Sequence, residues 1–167
     1  QALLDLLTND TMLVCVMAVN NETGSIQPIY QIADALTKAC QGKRRPKFHV
    51  DCVQAAGKIK LDLNYPGIDS AALSSHKICG PRGIGILYLK DSLDGFLRGG
   101  GQEKGIRSGT ENVMGALAFS KCLERYYNKD NSEQAVRTKN FAEALSKLKG
   151  CTIIPPSRLE KEELFSP

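Results

Sequence analysis

Residues 12–19 of the chain are Met-Leu-Val-Cys-Val-Met-Ala-Val, an unbroken apolar run that ends at the polar pair Asn20 and Asn21. An apolar run without polar alternation predicts a β-strand that is buried on both faces of a parallel sheet. Pro28 then opens a segment in which apolar residues recur at helical spacing. These residues are Ile29, Ile32, Ala33, Leu36 and Cys40. A buried strand followed by an amphipathic helix predicts an α/β fold.

The rest of the chain continues this alternation of strands and helices. The further predicted elements are a short helix at 3–7, strands at 47–50, 70–74 and 83–89, and helices at 111–127 and 133–149. Between the last two helices, residues 128–132 are polar and turn-like, so they mark the predicted domain boundary. We expect a large domain over 1–127 and, over 128–167, a connecting helix and the start of a small C-terminal domain.

The composition limits the class of protein. The chain has 167 residues, 42% of them hydrophobic and 24% charged, which excludes collagen-like and disordered classes. Its apolar runs are far shorter than the roughly 20 residues that cross a bilayer, so no membrane partner is expected. A formal charge of +4 is low for a nucleic-acid binder. The dense basic run 43–47 is predicted to be a solvated loop, with a phosphate-contacting patch as the alternative.

Six cysteines are present, at positions 15, 40, 52, 79, 122 and 151. No pair has the C-x-x-C spacing and neither histidine lies near a cysteine pair, so no metal site is predicted. Cys15 falls in the apolar strand, and Cys40 and Cys122 fall in helix patterns. These three are predicted to be buried, reduced thiols, which favours a cytoplasmic or similarly reducing compartment.

Polar residues follow three of the predicted strands. They are Asn20 and Asn21, then Asp51, and then the group Ser74, His76 and Lys77. The carboxyl ends of parallel strands share one edge of a sheet, and α/β proteins bind their ligands there. These side chains are therefore predicted to converge on one site.

Lys77 and Asp51 are the candidates for chemistry at this edge. A partly desolvated lysine can attack a carbonyl and form a Schiff base, and a carboxylate can pair with a protonated pyridine nitrogen. Together they are the means by which a protein tunes pyridoxal 5'-phosphate (PLP). Ser74, His76 and Thr110 offer donors for a phosphate. Taken singly, each signal has a plainer interpretation, because a lysine is usually a surface residue and an aspartate at a strand end is usually a cap.

Four segments in order carry a more specific signal. They are Val-Asn-Asn-Glu-Thr-Gly (19–24), His-Val-Asp-Cys-Val-Gln (49–54), Ser-Ser-His-Lys-Ile-Cys-Gly-Pro-Arg-Gly-Ile-Gly (74–85) and Gly-Gly-Gly-Gln-Glu-Lys-Gly-Ile-Arg-Ser-Gly-Thr (99–110). This series resembles the signatures of the cysteine desulfurases of the NifS/IscS type, in the class V aminotransferase group of fold-type I PLP enzymes. The resemblance covers about residues 11–127. It implies part of a large PLP-binding domain with a mostly parallel sheet flanked by helices.

The resemblance also implies roles for individual side chains. Lys77 would carry the cofactor as a Schiff base and move the proton during turnover. Asp51 would bind the pyridinium nitrogen, and Gln54 would bind the 3-hydroxyl oxygen.

Four further roles follow from the same resemblance. Ser74 and His76 would hold the phosphate, and Thr110 would reach the phosphate of the neighbouring subunit in a homodimer. Asn21 would lie near the cofactor and the substrate carboxylate. Arg107 is interpreted as a support for its loop, with a carboxylate clamp as the alternative.

The family reaction removes sulfur from L-cysteine to give L-alanine and an enzyme persulfide, which a sulfur-acceptor or scaffold protein receives for iron–sulfur cluster or thio-cofactor assembly. We expect the family's ring-stacking residue to precede Gln1 and its persulfide cysteine to follow Pro167, so this chain would be an incomplete, inactive piece. Cys52 and Cys79 are predicted to be packed thiols rather than sulfur acceptors. The alternatives are a selenocysteine lyase or a catalytically silent module that binds PLP or a partner.

Overall fold

The computed structural model describes residues 1–127 and 129–159. Its centre is a four-stranded sheet of β1 (Leu13–Met17), β2 (Lys47–Asp51), β3 (Ser70–Ser74) and β4 (Gly85–Leu89). The strands lie in the order β1-β2-β3-β4. The first three are parallel, and β4 is antiparallel to β3. The predicted α/β class with a mostly parallel sheet is confirmed.

Four helices accompany this sheet: α1 (Ala2–Asp5), α2 (Ile29–Ala39), α3 (Val113–Tyr126) and α4 (Ser132–Ser146). Pro28 precedes the first turn of α2, where its missing N–H costs no helical hydrogen bond. The predicted stripe is buried at Ile29, Ala33 and Leu36, which pack into the same core as the sheet. No helix in the described ranges is long and apolar enough to cross a membrane.

The core covers one face of the sheet. Alternate residues of the strands are buried there, namely Val14, Phe48, Val50 and Ala71. On the opposite face Leu13 is 55% exposed and Cys15 is exposed as well. The prediction that the first strand is buried on both faces is therefore wrong. The reason is that, among the described residues, other elements pack against only one face of β1.

The predicted burial of three thiols is also corrected. Cys15 is exposed on β1, and Cys40 and Cys122 are only half-buried near the ends of α2 and α3. Cys122 still packs against the edge of the core. A helical pattern identifies the apolar face of a helix, but it does not predict how deeply each residue of that face is buried.

The last helix is less completely buried than the helical spacing of its apolar residues Phe141, Ala144, Leu145 and Leu148 predicts. Helix α4 forms where it is predicted, but Phe141 is 66% exposed and Leu148 lies just past its end, also exposed. Ala142 is the buried residue of this helix. Position 128 of the predicted boundary and positions 160–167 of the predicted small domain lie outside the described residues. The division into domains stays a prediction.

The basic run 43–47 is not a uniformly solvated loop. Arg45 is half-buried, and its Nη1 donates to the carbonyls of Pro46 at 3.0 Å and Gly67 at 3.2 Å. This side chain therefore fastens the segment before β2 to the segment before β3. Neither of the sequence interpretations describes Arg45 correctly.

Candidate active site

The parallel register brings three strand ends to one edge of the sheet. Met17 of β1 is level with Asp51 of β2, and Asp51 is level with Ala72 of β3. The amide of Cys52 continues the ladder by donating to the carbonyl of Ala72 at 2.9 Å. The segments that follow the three strands therefore leave the sheet at the same edge, which is the convergence that the sequence predicts.

The first of these segments is a turn built around Asn20. Its Oδ1 accepts hydrogen bonds from the amides of Glu22 at 2.9 Å and Thr23 at 2.8 Å. Gly24 closes the turn at φ +72°, and a Cβ there would lie 2.8 Å from the guanidinium of Arg158. Asn20 is thus a structural residue, whereas its neighbour Asn21 is exposed. Asn21 lines a cleft of about 520 Å³ that also includes Gln54 and residues of α4.

Asp51 ends β2 as a half-buried carboxylate. Its Oδ1 accepts from the amide of Val53 at 2.9 Å, so the side chain caps the turn that follows, as the plainer interpretation requires. A carboxylate has a second oxygen with its own lone pairs, and capping therefore fixes its orientation without exhausting its capacity as an acceptor. Next to it, Cys52 is fully buried, and burial together with the charge of Asp51 raises the pKa of this thiol to about 12. The predicted packed thiol at Cys52 is confirmed.

Lys58 is a residue of this site that the sequence analysis missed. Its Nζ donates to Oε1 of Gln54 at 2.9 Å. Burial lowers the pKa of Lys58, and the positive charge of Lys77 lowers it further. The two lysines are thus close enough for their charges to interact. Gln54, Lys58 and Lys77 therefore belong to the same site. The only feature of the sequence that could have indicated this hydrogen bond is the four-residue spacing between Gln54 and Lys58.

The third segment is a single 3₁₀ turn, Ser75–Ile78, directly after β3. The first and last residues of the turn, Ser75 and Ile78, are buried, and α3 packs against the turn. His76 and Lys77 are exposed on its outer side. The turn therefore presents these two side chains on a backbone that is anchored from below.

Ser74 and His76 are joined across the start of this turn. Ser74 Oγ and His76 Nδ1 lie 2.8 Å apart, in a hydrogen bond whose donor depends on the imidazole tautomer. The pair places a hydroxyl and an imidazole side by side at the sheet edge. Both groups can donate to a phosphate oxygen.

The turn ends at Cys79, which adopts a left-handed conformation at φ 61°. Its side chain is exposed, and the interaction of its thiol with the hydroxyl of Tyr126 on α3 raises the pKa of Tyr126. The prediction of a packed thiol at Cys79 is therefore wrong. The left-handed backbone turns this residue outward, which a sequence pattern does not reveal.

Thr110 belongs to the glycine-rich loop before α3. Arg107 donates from Nη1 to the carbonyls of Gly109 at 3.1 Å and Thr110 at 3.3 Å, as the loop-support interpretation expects. Thr110 itself is exposed. Over residues 1–127 and 129–159, no hydrogen bond joins Thr110 to His76 or Lys77.

Comparison with known proteins shows which proteins this chain resembles. The family model described as "Aminotransferase class-V" matches residues 1–166. A NifS/IcsS protein homolog of Lactobacillus delbrueckii subsp. bulgaricus is 46% identical over 144 residues, which are 84% of this chain and 36% of that protein. The mitochondrial cysteine desulfurase of Saccharomyces cerevisiae is 50% identical over 110 residues, 64% of this chain and 21% of its own length.

The fold is similar to that of solved proteins as well. A structure titled "SspA in complex with cysteine" superposes with a TM-score of 0.72 at 31% identity. The match covers 85% of this chain and 41% of that one. The chain thus spans well under half the length of the proteins that it matches here.

Proposed function

Because the chain belongs to the aminotransferase class-V family, we propose that it forms the PLP-binding core of a cysteine desulfurase. The complete reaction removes sulfur from L-cysteine, yields L-alanine and leaves a persulfide on an enzyme cysteine. One observation carries the proposal: Lys77 stands exposed on the turn after β3, at the same sheet edge as Asp51 and Gln54. The names of the two relatives and the cysteine in the solved complex support the choice of substrate.

The donor set at this edge fits PLP group by group. Asp51 supplies the carboxylate that a pyridinium nitrogen needs, and Gln54 supplies an amide for the 3-hydroxyl oxygen. Ser74 and His76 supply adjacent donors for a phosphate. When bound, PLP supplies an electron sink for cleavage of bonds at the amino-acid substrate.

Lys77 is the residue that we assign to covalent attachment and to proton transfer at its Nζ. The buried side chains of Ser75 and Ile78 hold the turn in place, so the amine is displayed from a fixed backbone. Asn21, at the cleft near Gln54, is assigned to the carboxylate of the substrate. These assignments give each polar residue of the edge a separate task.

We assign Thr110 to the phosphate site of a second subunit. Its exposed position in the glycine-rich loop supports a role toward another molecule rather than toward its own site. The first turns of α3, directly after it, expose the apolar side chains of Val113, Met114 and Leu117. A homodimer would cover these side chains, and a sulfur-acceptor protein would be the further partner. The six free cysteines support a reducing compartment, either the cytoplasm or, for a longer parent protein, an organelle.

The activity can be tested in a chimera, since the chain spans 36% of the Lactobacillus relative. This chain would replace the matching segment of that relative, and alanine released from L-cysteine would be measured beside alanine released from L-selenocysteine. We expect alanine from L-cysteine, and none when Lys77→Ala is introduced. Equal release with and without Lys77 would contradict the assignment. Release from L-selenocysteine alone would favour the lyase instead.

A further inference from the structure

Lys58 makes a hydrogen bond whose direction is unambiguous. An ammonium group only donates, so the atom of Gln54 that faces Lys58 Nζ at 2.9 Å must be the amide oxygen Oε1. The oxygen and the nitrogen of a side-chain amide diverge from its trigonal carbon. The Nε2 donor of Gln54 is therefore turned away from Lys58.

Hydrogen bonds also fix the backbone at Lys58. Asn131, just before α4, donates from Nδ2 to the carbonyls of Gly57 at 3.0 Å and Lys58 at 3.1 Å. Gly57 sits at φ +71°, and a Cβ there would approach Tyr126 Cβ to 3.1 Å and a methyl group of Ile78 to 3.2 Å. Both the conformation and the lack of space require glycine. The segment that carries Lys58 is thus fixed against α3, α4 and the turn of Lys77.

The environment of Lys58 differs from that of an ordinary surface lysine. It is half-buried, and burial is the main cause that lowers its pKa. A lysine usually keeps its ammonium in water, so holding this one against Gln54 costs solvation. The hydrogen bond to Oε1 offsets part of that cost.

We infer that Lys58 is a positioning residue, which holds Oε1 of Gln54 toward its own Nζ and so presents Nε2 as a donor to the 3-hydroxyl oxygen of bound PLP. The inference rests on the proposed function, because it assigns Gln54 to that oxygen. Without Lys58 the amide can rotate or flip, and an oxygen facing an oxygen would replace a hydrogen bond with a repulsion. Lys58 therefore acts on the cofactor through Gln54.

The test is a double-mutant cycle of PLP affinity, measured by absorbance titration in the chimera that completes this chain with the Lactobacillus relative. Lys58→Met keeps the length of the side chain and removes its donor, and we expect PLP to bind roughly tenfold more weakly. Gln54→Ala should cause a similar loss, and the double variant should be no weaker than Gln54→Ala alone. Lys60→Met is the matched control, since Lys60 is an exposed lysine two residues further on, and it should stay within about twofold of wild type.

Two additional readouts separate positioning from a structural role. Lys58→Arg keeps a donor and should restore most of the affinity, while urea unfolding should show Lys58→Met to be as stable as wild type. In the cofactor-free chain, the side-chain amide signal of Gln54 should be ordered in wild type and mobile in Lys58→Met by ¹⁵N relaxation.

The outcomes distinguish this inference from the function on which it rests. If PLP binds at Lys77 but the losses from Lys58→Met and Gln54→Ala add, or if Lys58→Met behaves like Lys60→Met, the inference is overturned and the proposed function stands. An amide of Gln54 that is equally mobile in both proteins would also overturn it. If the wild type binds no PLP, the proposed function is wrong, and this inference is wrong as well because it rests on that function.

Discussion

Arg45 donates from Nη2 to both carboxylate oxygens of Asp69, at 2.9 Å and 2.7 Å. Asp69 is only 8% exposed, and it also accepts from the amide of Phe48 at 2.7 Å and from Lys47 Nζ at 3.1 Å. A buried carboxylate is tolerated only when it is paired and hydrogen-bonded, and here it meets four donor contacts. The cluster ties the entry of β2 to the entry of β3. It therefore holds together the two strands whose far ends form the candidate site.

Replacing Asp69 by alanine should destabilise the chain. The change leaves the half-buried guanidinium of Arg45 and the amide of Phe48 without their acceptor, so the free energy of unfolding should fall by about 2–4 kcal/mol. Urea denaturation followed by circular dichroism measures the difference. Asp91→Ala is the control, because Asp91 pairs with Lys47 at an exposed site and its loss should be barely measurable. Similar losses in the two variants would contradict the structural role of Asp69.

The same carboxylate makes stability depend on pH. Burial alone would raise the pKa of Asp69, but the amide of Phe48 and the two cations outweigh burial and hold the pKa below its ordinary value. A pKa that is lower in the folded state gives stability that is present above about pH 4 and is lost as pH falls through the folded pKa. The difference in unfolding free energy between wild type and Asp69→Asn should therefore shrink between pH 5.5 and pH 3. A difference that stays constant over this interval would count against the account. Hydrogen bonds to Ser132 also lower the pKa of Asp130. Its contribution to the pH dependence of stability is the same in wild type and in Asp69→Asn, so it cancels in the difference.

The Arg45 cluster shows one limit of sequence reasoning. Arg45 and Asp69 are separated by 24 positions, and nothing in a run of basic residues points to a buried partner so far along the chain. The strands themselves are local features, and they were predicted well: β3 matches its predicted bounds, and β2 differs from its predicted bounds by one residue. Local patterns thus predicted the elements, whereas pairings between distant residues required the structure.

Ser75 supplies a test of the turn that carries Lys77. Its Oγ is buried and has no hydrogen-bond partner within the described residues, and it lies 2.0 Å from where a Cβ on Gly80 would be. Removing an unpaired buried hydroxyl relieves its desolvation cost, so Ser75→Ala should raise the free energy of unfolding by about 1 kcal/mol.

A nearby serine provides the control for Ser75→Ala. Ser70, on β3, bonds His49 Nδ1 at 2.8 Å, so Ser70→Ala should lower the free energy of unfolding by about 1 kcal/mol. Urea denaturation of both variants measures the two signs. A loss of stability in Ser75→Ala would show that this hydroxyl is paired in solution.

The thiols should differ in reactivity according to burial. At pH 8 the exposed Cys15, Cys79 and Cys151 should react readily with a disulfide reagent, since the thiolate is the attacking form. Cys52, with a pKa of about 12 and no exposure, should be slower by on the order of a thousandfold. Mass mapping after timed reaction gives the four rates, and unfolding in urea should make them converge. Early labelling of Cys52 in the folded chain would contradict its buried, protonated state.

The candidate site was predicted in part for the same reason as the strands. Asp51, Ser74, His76 and Lys77 lie at or just past strand ends, and parallel strands bring such ends together whatever the rest of the fold does. Lys58 was missed because its place depends on how the turn after Asp51 is folded. Exposure was misjudged at Cys79 because its left-handed backbone is not encoded in apolar periodicity.

The most direct test of the central claim is to identify the lysine that binds PLP. The purified chain would be mixed with PLP, reduced with borohydride and digested, and the labelled peptide would be found by mass spectrometry. The account predicts a visible absorbance band before reduction and a label on Lys77, with both lost in Lys77→Ala. A label on Lys58, whose lowered pKa makes it the competing amine, or an absorbance band that persists in Lys77→Ala, would contradict the assignment of Lys77 as the cofactor lysine.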